Sequence, residues 1–271
     1  MCHSPETRSA STDTDMENAP PTLPVGVVQR PASSLASRLL NVFAAPGDVF
    51  EEIRTSTPST ANWLVPLLLT CLVGVGYVFA VFSQESILQS MREAQEKAMQ
   101  KQVEAGKLTQ QQAEQRLEIA QQFAGPTLIK VFGSVGVVVV NLVMLFVVAL
   151  VVWLVGKLVF KGGFSYLKAM EVAGLASTIN ILGGIVAMLL AVVMGNMAMT
   201  PGPVLLVHEF DPANKLHVFL GQLNVFMLWY IALLSLGLAK LGRVAYGKAA
   251  FWLFGVWAVL VAAMVLPGWG R

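Results

Sequence analysis

Few residues of this chain combine a reactive type with a useful spacing. Glu171 is the one acid that can enter an apolar run, and an ionisable group inside a membrane is a functional candidate by default. Lys168 and Lys157 lie within reach along the chain, and a carboxylate near the start of a helix also complements its dipole. An interfacial ion pair with Lys168 or Lys157 is therefore favoured over a proton or cation relay. A centred acid costs about 2.5–3.5 kcal/mol against roughly 0.3–0.6 kcal/mol gained per large apolar residue, so the run inserts either way. A second set is Ala173, Ser177, Asn180, Gly184, Ala187 and Ala191, which recur at intervals of three and four and make one small, polar helix face. Helices in lipid associate through such faces, each interhelical hydrogen bond contributing about 0.6–2 kcal/mol. Asn141, and Asn224 with Ser235, are the candidate partners of Asn180; polar glue is favoured over a polar path. His3, His208 and His217 have no second ligand at metal spacing, and no glycine-rich phosphate loop, Gly-x-Ser-x-Gly or facing pair of carboxylates occurs. No catalytic residue, metal or cofactor is expected.

The elements that must carry these residues follow from composition. A chain of 271 residues with 55% hydrophobic and only 13% charged residues is not a soluble protein but a polytopic, all-α membrane protein. Five runs are long enough for a hydrocarbon core, which takes roughly 20 residues: 62–83, 131–156, 171–195, 217–239 and 249–268. The net charge of +2 says little; its placement says more. Lys157, Lys161 and Lys168 follow the second run, while Lys240, Arg243 and Lys248 fill the connection after the fourth. The loop after the third (His208, Glu209, Asp211, Lys215) carries more acid than base. Short basic loops stay inside, which puts the amino terminus in the cytoplasm and the carboxyl terminus outside. The basic loop Lys240, Arg243 and Lys248 then forms an inner anchor beside anionic lipid. No basic footprint for nucleic acid emerges.

Residues 1–33, rich in Ser, Thr, Pro and acids, are expected to be a disordered tail with no signal peptide. In 34–57, Leu35, Leu39, Val42 and Phe43 fall at helical spacing, Pro46 interrupts, and Val49, Phe50 and Ile53 resume. Such an amphipathic helix-break-helix either lies among headgroups, with Arg38 and Arg54 turned to water, or packs on the bundle. The membrane domain spans 58–271. Its insert at 84–128, dense in Gln, Glu, Lys and Arg, reads as a charged helical hairpin outside the cytoplasm. Gly106 is its stop, Thr109 and Gln112 form a capping box, and Ala113, Leu117, Ala120 and Ala124 make the inner face. Ile87, Met91, Ala94 and Ala98 stripe the first helix of the insert. Asp211-Pro212 reads as the cap of the fourth run. Gly74, Gly76, Gly133, Gly136, Gly183 and Gly184 point to close helix packing, Trp229 and Trp257 to the core, and Trp269 to an aromatic belt. Cys2 and Cys71 are expected to stay unbonded.

The arrangement resembles the Yip (Ypt-interacting protein) family of five-span membrane proteins. The resemblance rests on Leu39-Leu40-Asn41-Val42-Phe43, Ala45-Pro46, Val49-Phe50, Trp63-Leu64-Val65-Pro66, Phe226-Met227-Leu228-Trp229, Gly237-Leu238 and Lys248-Ala249, and covers roughly residues 35–268. These look like the bacterial branch, which carries a charged insert between the first two spans. Eukaryotic relatives are associated with Rab-type GTPases and vesicle traffic, and they pair with related proteins. Their Asp-Leu-Tyr-Gly-Pro signature is absent here, and Ala173-Gly174-Leu175-Ala176 replaces their tyrosine-containing glycine motif, so a small GTPase is not the expected partner. The leading expectation is a non-enzymatic scaffold or bilayer organiser of the cell (inner) membrane, with a protein partner at 84–128 or a second copy of itself. A small permease or lipid-handling protein with a polar path between spans two, three and four is the alternative, and a membrane enzyme the second.

Overall fold

The computed structural model describes residues 33–265 except 124, 198, 208–209 and 212–213, and the side chains of 94, 120–123 and 126 are likewise not described. The expected tail at 1–32, with Cys2 and His3, lies outside the described residues, as do the expectations at Ala94, Ala120, Ala124, His208, Glu209, Pro212 and Trp269.

Among the described residues every regular element is helical, and five helical stretches are long and apolar enough to cross a membrane. The first is α3, Ala61–Val81. The second is α6, Pro126–Leu154, whose last turn widens into a π-turn at Val155–Val159. The third is a broken pair, α7 (Tyr166–Ala176) and α8 (Thr178–Met194). The fourth and fifth are α10 (Val225–Gly242) and α11 (Tyr246–Val265). Apolar side chains cover their outer faces, as a hydrocarbon solvent requires.

Ahead of the spans, Ser34 caps α1 (Leu35–Ala44) by accepting from Ser37 N, and Pro46 opens α2 (Pro46–Thr55) at the first helical position, where its missing N–H costs nothing. The apolar side of this pair faces the protein. Val42, Val49, Phe50 and Ile53 are buried in the main core, α2 lying along α10 and α7. Of the two expected placements this is packing on the bundle, which already shields this face. Burial of each such side chain is worth about 1.5–3 kcal/mol.

Close approach holds the bundle together. A Cβ on Gly174 would stand 2.3 Å from Trp63 Cα, and one on Gly237 would stand 2.2 Å from Val172 Cγ1, so only a hydrogen allows α7 to meet α3 and α10 at these levels. Gly74, Gly133, Gly183 and Gly184 also face neighbouring side chains, whereas Gly76 and Gly136 face nothing within 4 Å, which corrects the packing expectation for those two. The first half of the third span is enclosed: every residue from Lys168 to Ala176 is buried.

The insert forms two helices, α4 (Glu85–Glu104) and α5 (Gln110–Phe123). Gly106 between them adopts φ +67°, and Thr109 and Gln112 exchange the reciprocal capping bonds, Thr109 N donating to Gln112 Oε1 at 3.0 Å and Gln112 N to Thr109 Oγ1 at 3.2 Å. Ile87 and Ala191 bury a small separate cluster at the base of α4.

The fourth span differs from the expected 217–239. A short α9 (Lys215–Gln222) precedes it and the helix restarts at Val225, because Asn224 Oδ1 accepts from Phe226 N at 2.8 Å and caps the new helix. Asn214, rather than Asp211-Pro212, caps α9 by accepting from Leu216 N at 3.0 Å. Trp229 is 38% exposed instead of core, its ring meeting Phe43 edge-on at 6.0 Å.

Candidate functional site

Two polar assemblies stand out, one where α1 and α2 meet the spans and one midway along the bundle. The first is built around Glu171, five residues inside α7 and 1% exposed. Lys168, one turn earlier on α7, places Nζ 2.9 Å from Glu171 Oε2 and donates to the carbonyl of Ile53 at 2.6 Å, tying α7 to the end of α2. The other carboxylate oxygen accepts from Ser59 N at 2.8 Å and from Asn62 Nδ2 at 2.6 Å. Asn62 passes the connection on, since its Oδ1 accepts from Arg38 Nη1 at 3.0 Å, and Arg38 Nη2 pairs with Glu52 at 2.8 Å. Two acids and two bases, bridged by one amide, thus run from α2 through α1 and α3 to α7. Burying ions costs several kcal/mol each, and this arrangement offsets that cost only because nearly every polar atom has a partner.

Around the rim the same logic is weaker and wetter. Burial alone would raise the Glu52 carboxyl, but hydrogen bonds from Ser33 and Arg38 outweigh it and hold the group below its ordinary range. The hydrogen bond from Arg54 lowers Glu51 against a smaller opposing effect of burial, with Lys240 adding to the shift from 3.6 Å.

The second assembly is a cavity of about 360 Å³ between α3, α6, the third span and α10. Ser177, Asn180 and Gly184, singled out from helical spacing, and their candidate partner Asn141 all line it, together with Thr70, Tyr77 and Tyr230. The break at Ser177 creates the space. Its Oγ donates to Gly174 O at 2.7 Å, and beyond it α8 lies along α3 and α10, while α6 stays packed along α7. Asn141 Nδ2 turns back to Val137 O at 2.9 Å on its own helix.

The remaining expected residues fall elsewhere. Asn224 is a helix cap and not a partner for Asn180, because the chain breaks before it. Ser235 is fully buried, yet donates at 2.7 Å to Ile231 O on its own helix, away from the cavity. Lys157 is not a partner of Glu171 but sits exposed, with Nζ 4.7 Å from the Trp153 ring centroid, a cation–π contact worth about 0.5–1 kcal/mol at such a site. Arg243 ends α10 at φ +52°, and both it and Lys248 are exposed. Arg38, Glu52, Asn62, Tyr77 and Tyr230 were not expected. For Arg38 a signal exists: it falls three after Leu35 and four before Val42, on the apolar stripe itself, where a cation needs a buried partner.

A family model described as the Yip1 domain matches residues 40–266. No curated protein and no solved structure matches the chain.

Proposed function

The chain belongs to the Yip1 domain family, and from that premise we propose that it is a non-enzymatic scaffold of the bacterial inner membrane, presenting the α1–α2 unit as a fixed platform to other membrane components. The observation that carries this reading is the Glu52–Arg38–Asn62–Glu171–Lys168 chain, which clamps α1 and α2 to two spans. Its charges are occupied with one another, which suits a strut better than an acid or base that must exchange protons with a substrate. Bending the bilayer by wedging in the α1–α2 apolar face is not part of the proposal, since that face is occupied by the bundle. The basic loops at the ends of α6 and α10 share the side of α1 and α2, with Lys240 reaching Glu51, which supports a cytoplasmic amino terminus and an external carboxyl terminus.

The test is cross-linking of the intact protein in its own membrane, with wild type, Arg38→Ala and an 84–128 deletion compared at equal abundance. Loss of co-isolated membrane components in Arg38→Ala is the expected result; identical components in all three would overturn the scaffold. Cysteines at 100, 164 and 245 report orientation, and labelling of 245 from outside would reverse it. A second reading, a small permease or lipid-handling protein, draws on the polar cavity between α3, α6, the third span and α10. Normal protein level with lost flux in Asn141→Ala and Asn180→Ala would favour it over the scaffold.

A further inference from the structure

The mid-bundle cavity differs from ordinary helix packing in what its polar groups do. The Asn180 amide and the hydroxyls of Tyr77 and Tyr230 make no hydrogen bond, and Asn141 spends only an N–H on its own backbone. Tyr230 is only 9% exposed, so this is an unpartnered polar side chain deep in the protein. In a hydrocarbon surrounding an unmet polar group costs about 1–3 kcal/mol, and three of them, with the half-used Asn141, converging on one cavity from α3, α6, α8 and α10 call for a common partner. At about 360 Å³ the space matches a small-ligand pocket, for which roughly 300 Å³ is the lower bound.

Three features narrow the occupant. No Asp, Glu, Lys, Arg or His lines the cavity among the described residues, so a charged head would be desolvated without compensation. Its other walls, such as Leu67, Leu145 and Val148, are aliphatic. Met144 and Met227 border it at 50% and 41% exposure on spanning helices, so the opening left where α6 parts from α8 faces lipid, not water. We propose that this cleft binds an uncharged amphiphile from the bilayer, its hydroxyl- and ester-bearing head taken by Asn180, Tyr230 and Asn141. The inference rests on the lipid-handling reading and names its ligand class.

The probe is dioctanoylglycerol, added to the purified full-length protein in zwitterionic lipid nanodiscs, with melting temperature as the readout. Glycerol and a short-chain phosphatidylglycerol, at equal concentration, test for a soluble polyol and for an anionic head. Dioctanoylglycerol is expected to raise the melting temperature by several degrees and the other two to leave it unchanged. Asn180→Leu is expected to melt no lower than wild type without ligand, since an unmet amide is removed, and to need at least tenfold more dioctanoylglycerol for the same shift. Tyr230→Phe is the second variant, should Asn180→Leu not fold, with the same expectation in a smaller degree. No shift in wild type, an equal shift with glycerol or phosphatidylglycerol, or an unchanged response in the folded variants would overturn the site. Binding without measurable lipid movement between vesicles would remove the lipid-handling reading and leave the site standing.

Discussion

The clamp beneath α1–α2 and the cleft beside α8 use similar residues to opposite ends. At the clamp, Glu171, Asn62 and Arg38 spend their hydrogen-bonding capacity on one another, and the backbone closes around them with Gly174 against Trp63. In the cleft, Asn180, Tyr77 and Tyr230 face space they do not fill. Burial of a polar residue is thus uninformative by itself; what separates a strut from a receptor is whether its donors and acceptors already have partners.

The sharpest way to break this contrast is to remove one ion of the clamp. Glu171→Leu leaves Lys168 buried and cationic, with Asn62 Nδ2 and Ser59 N stripped of their acceptor, and should destabilise by about 3–5 kcal/mol, the cost of orphaning a buried charge. Melting in detergent measures it. Lys168→Met added to Glu171→Leu should recover much of the loss, because the uncompensated ion disappears. A double variant no better than the single one would mean that the hydrogen bonds to Asn62 and Ser59, not the ion pair, hold this end together.

Next in size is a change that touches no charge. Gly174→Ala drives a methyl toward Trp63 Cα, where backbone cannot yield as a side-chain tip can, and should cost about 1–3 kcal/mol through separation of α3 from α7. Gly76→Ala, with nothing within 4 Å, should leave stability unchanged or slightly improved through helix propensity. Equal effects at the two glycines would show that the clamp end is not tightly packed.

This contrast also marks how far the sequence could be read. Five spans were legible because length and apolarity alone decide insertion, and the family assignment followed from the order of weak apolar motifs. Their ends were less so. Lys168 looks like a loop residue by charge, so the third span was expected from 171 instead of Tyr166; its burial depends on Glu171, Ile53 and a fold that joins them. Leu216 to Phe219 continue the apolar run of α10, and hydropathy is blind to Asn224 acting as a cap. The three-and-four spacing brought Ser177, Asn180 and Gly184 to one face, but the cavity they line depends on α8 leaving α6, a tertiary event with no local signature. Arg38 was assigned to water because it is charged, although its register lies on the apolar stripe.

Acid tests the outer edge of the clamp. Glu51 and Glu52 are held below the ordinary carboxylate range, so their contribution is complete above the unfolded value of 4.5 and fades as pH falls through their lower folded values. Glu51 is 42% and Glu52 27% exposed, so solvent screens both and the shared effect should stay at about 1 kcal/mol. Melting temperature against pH should drop below about pH 4.5 and drop less in Glu52→Gln, with 1 M salt flattening the difference. An identical acid limb in that variant would place the sensitivity elsewhere.

The smallest effect belongs to the residue that looks most like a site and is not one. Ser235 is fully buried at mid-span, but its hydroxyl bonds to Ile231 O, a carbonyl that the helix ladder already serves. Ser235→Ala removes donor and acceptor together and leaves no orphan, so stability should move by at most about 0.5 kcal/mol. Dioctanoylglycerol binding should be unaffected, since Ser235 does not line the cleft. Asn180→Leu should be at least as stable as Ser235→Ala without ligand, and should differ from it in losing ligand response. A loss of binding in Ser235→Ala as large as that in Asn180→Leu would mean that buried polarity anywhere in α10 tunes the cleft, and that partner accounting does not separate receptor from strut.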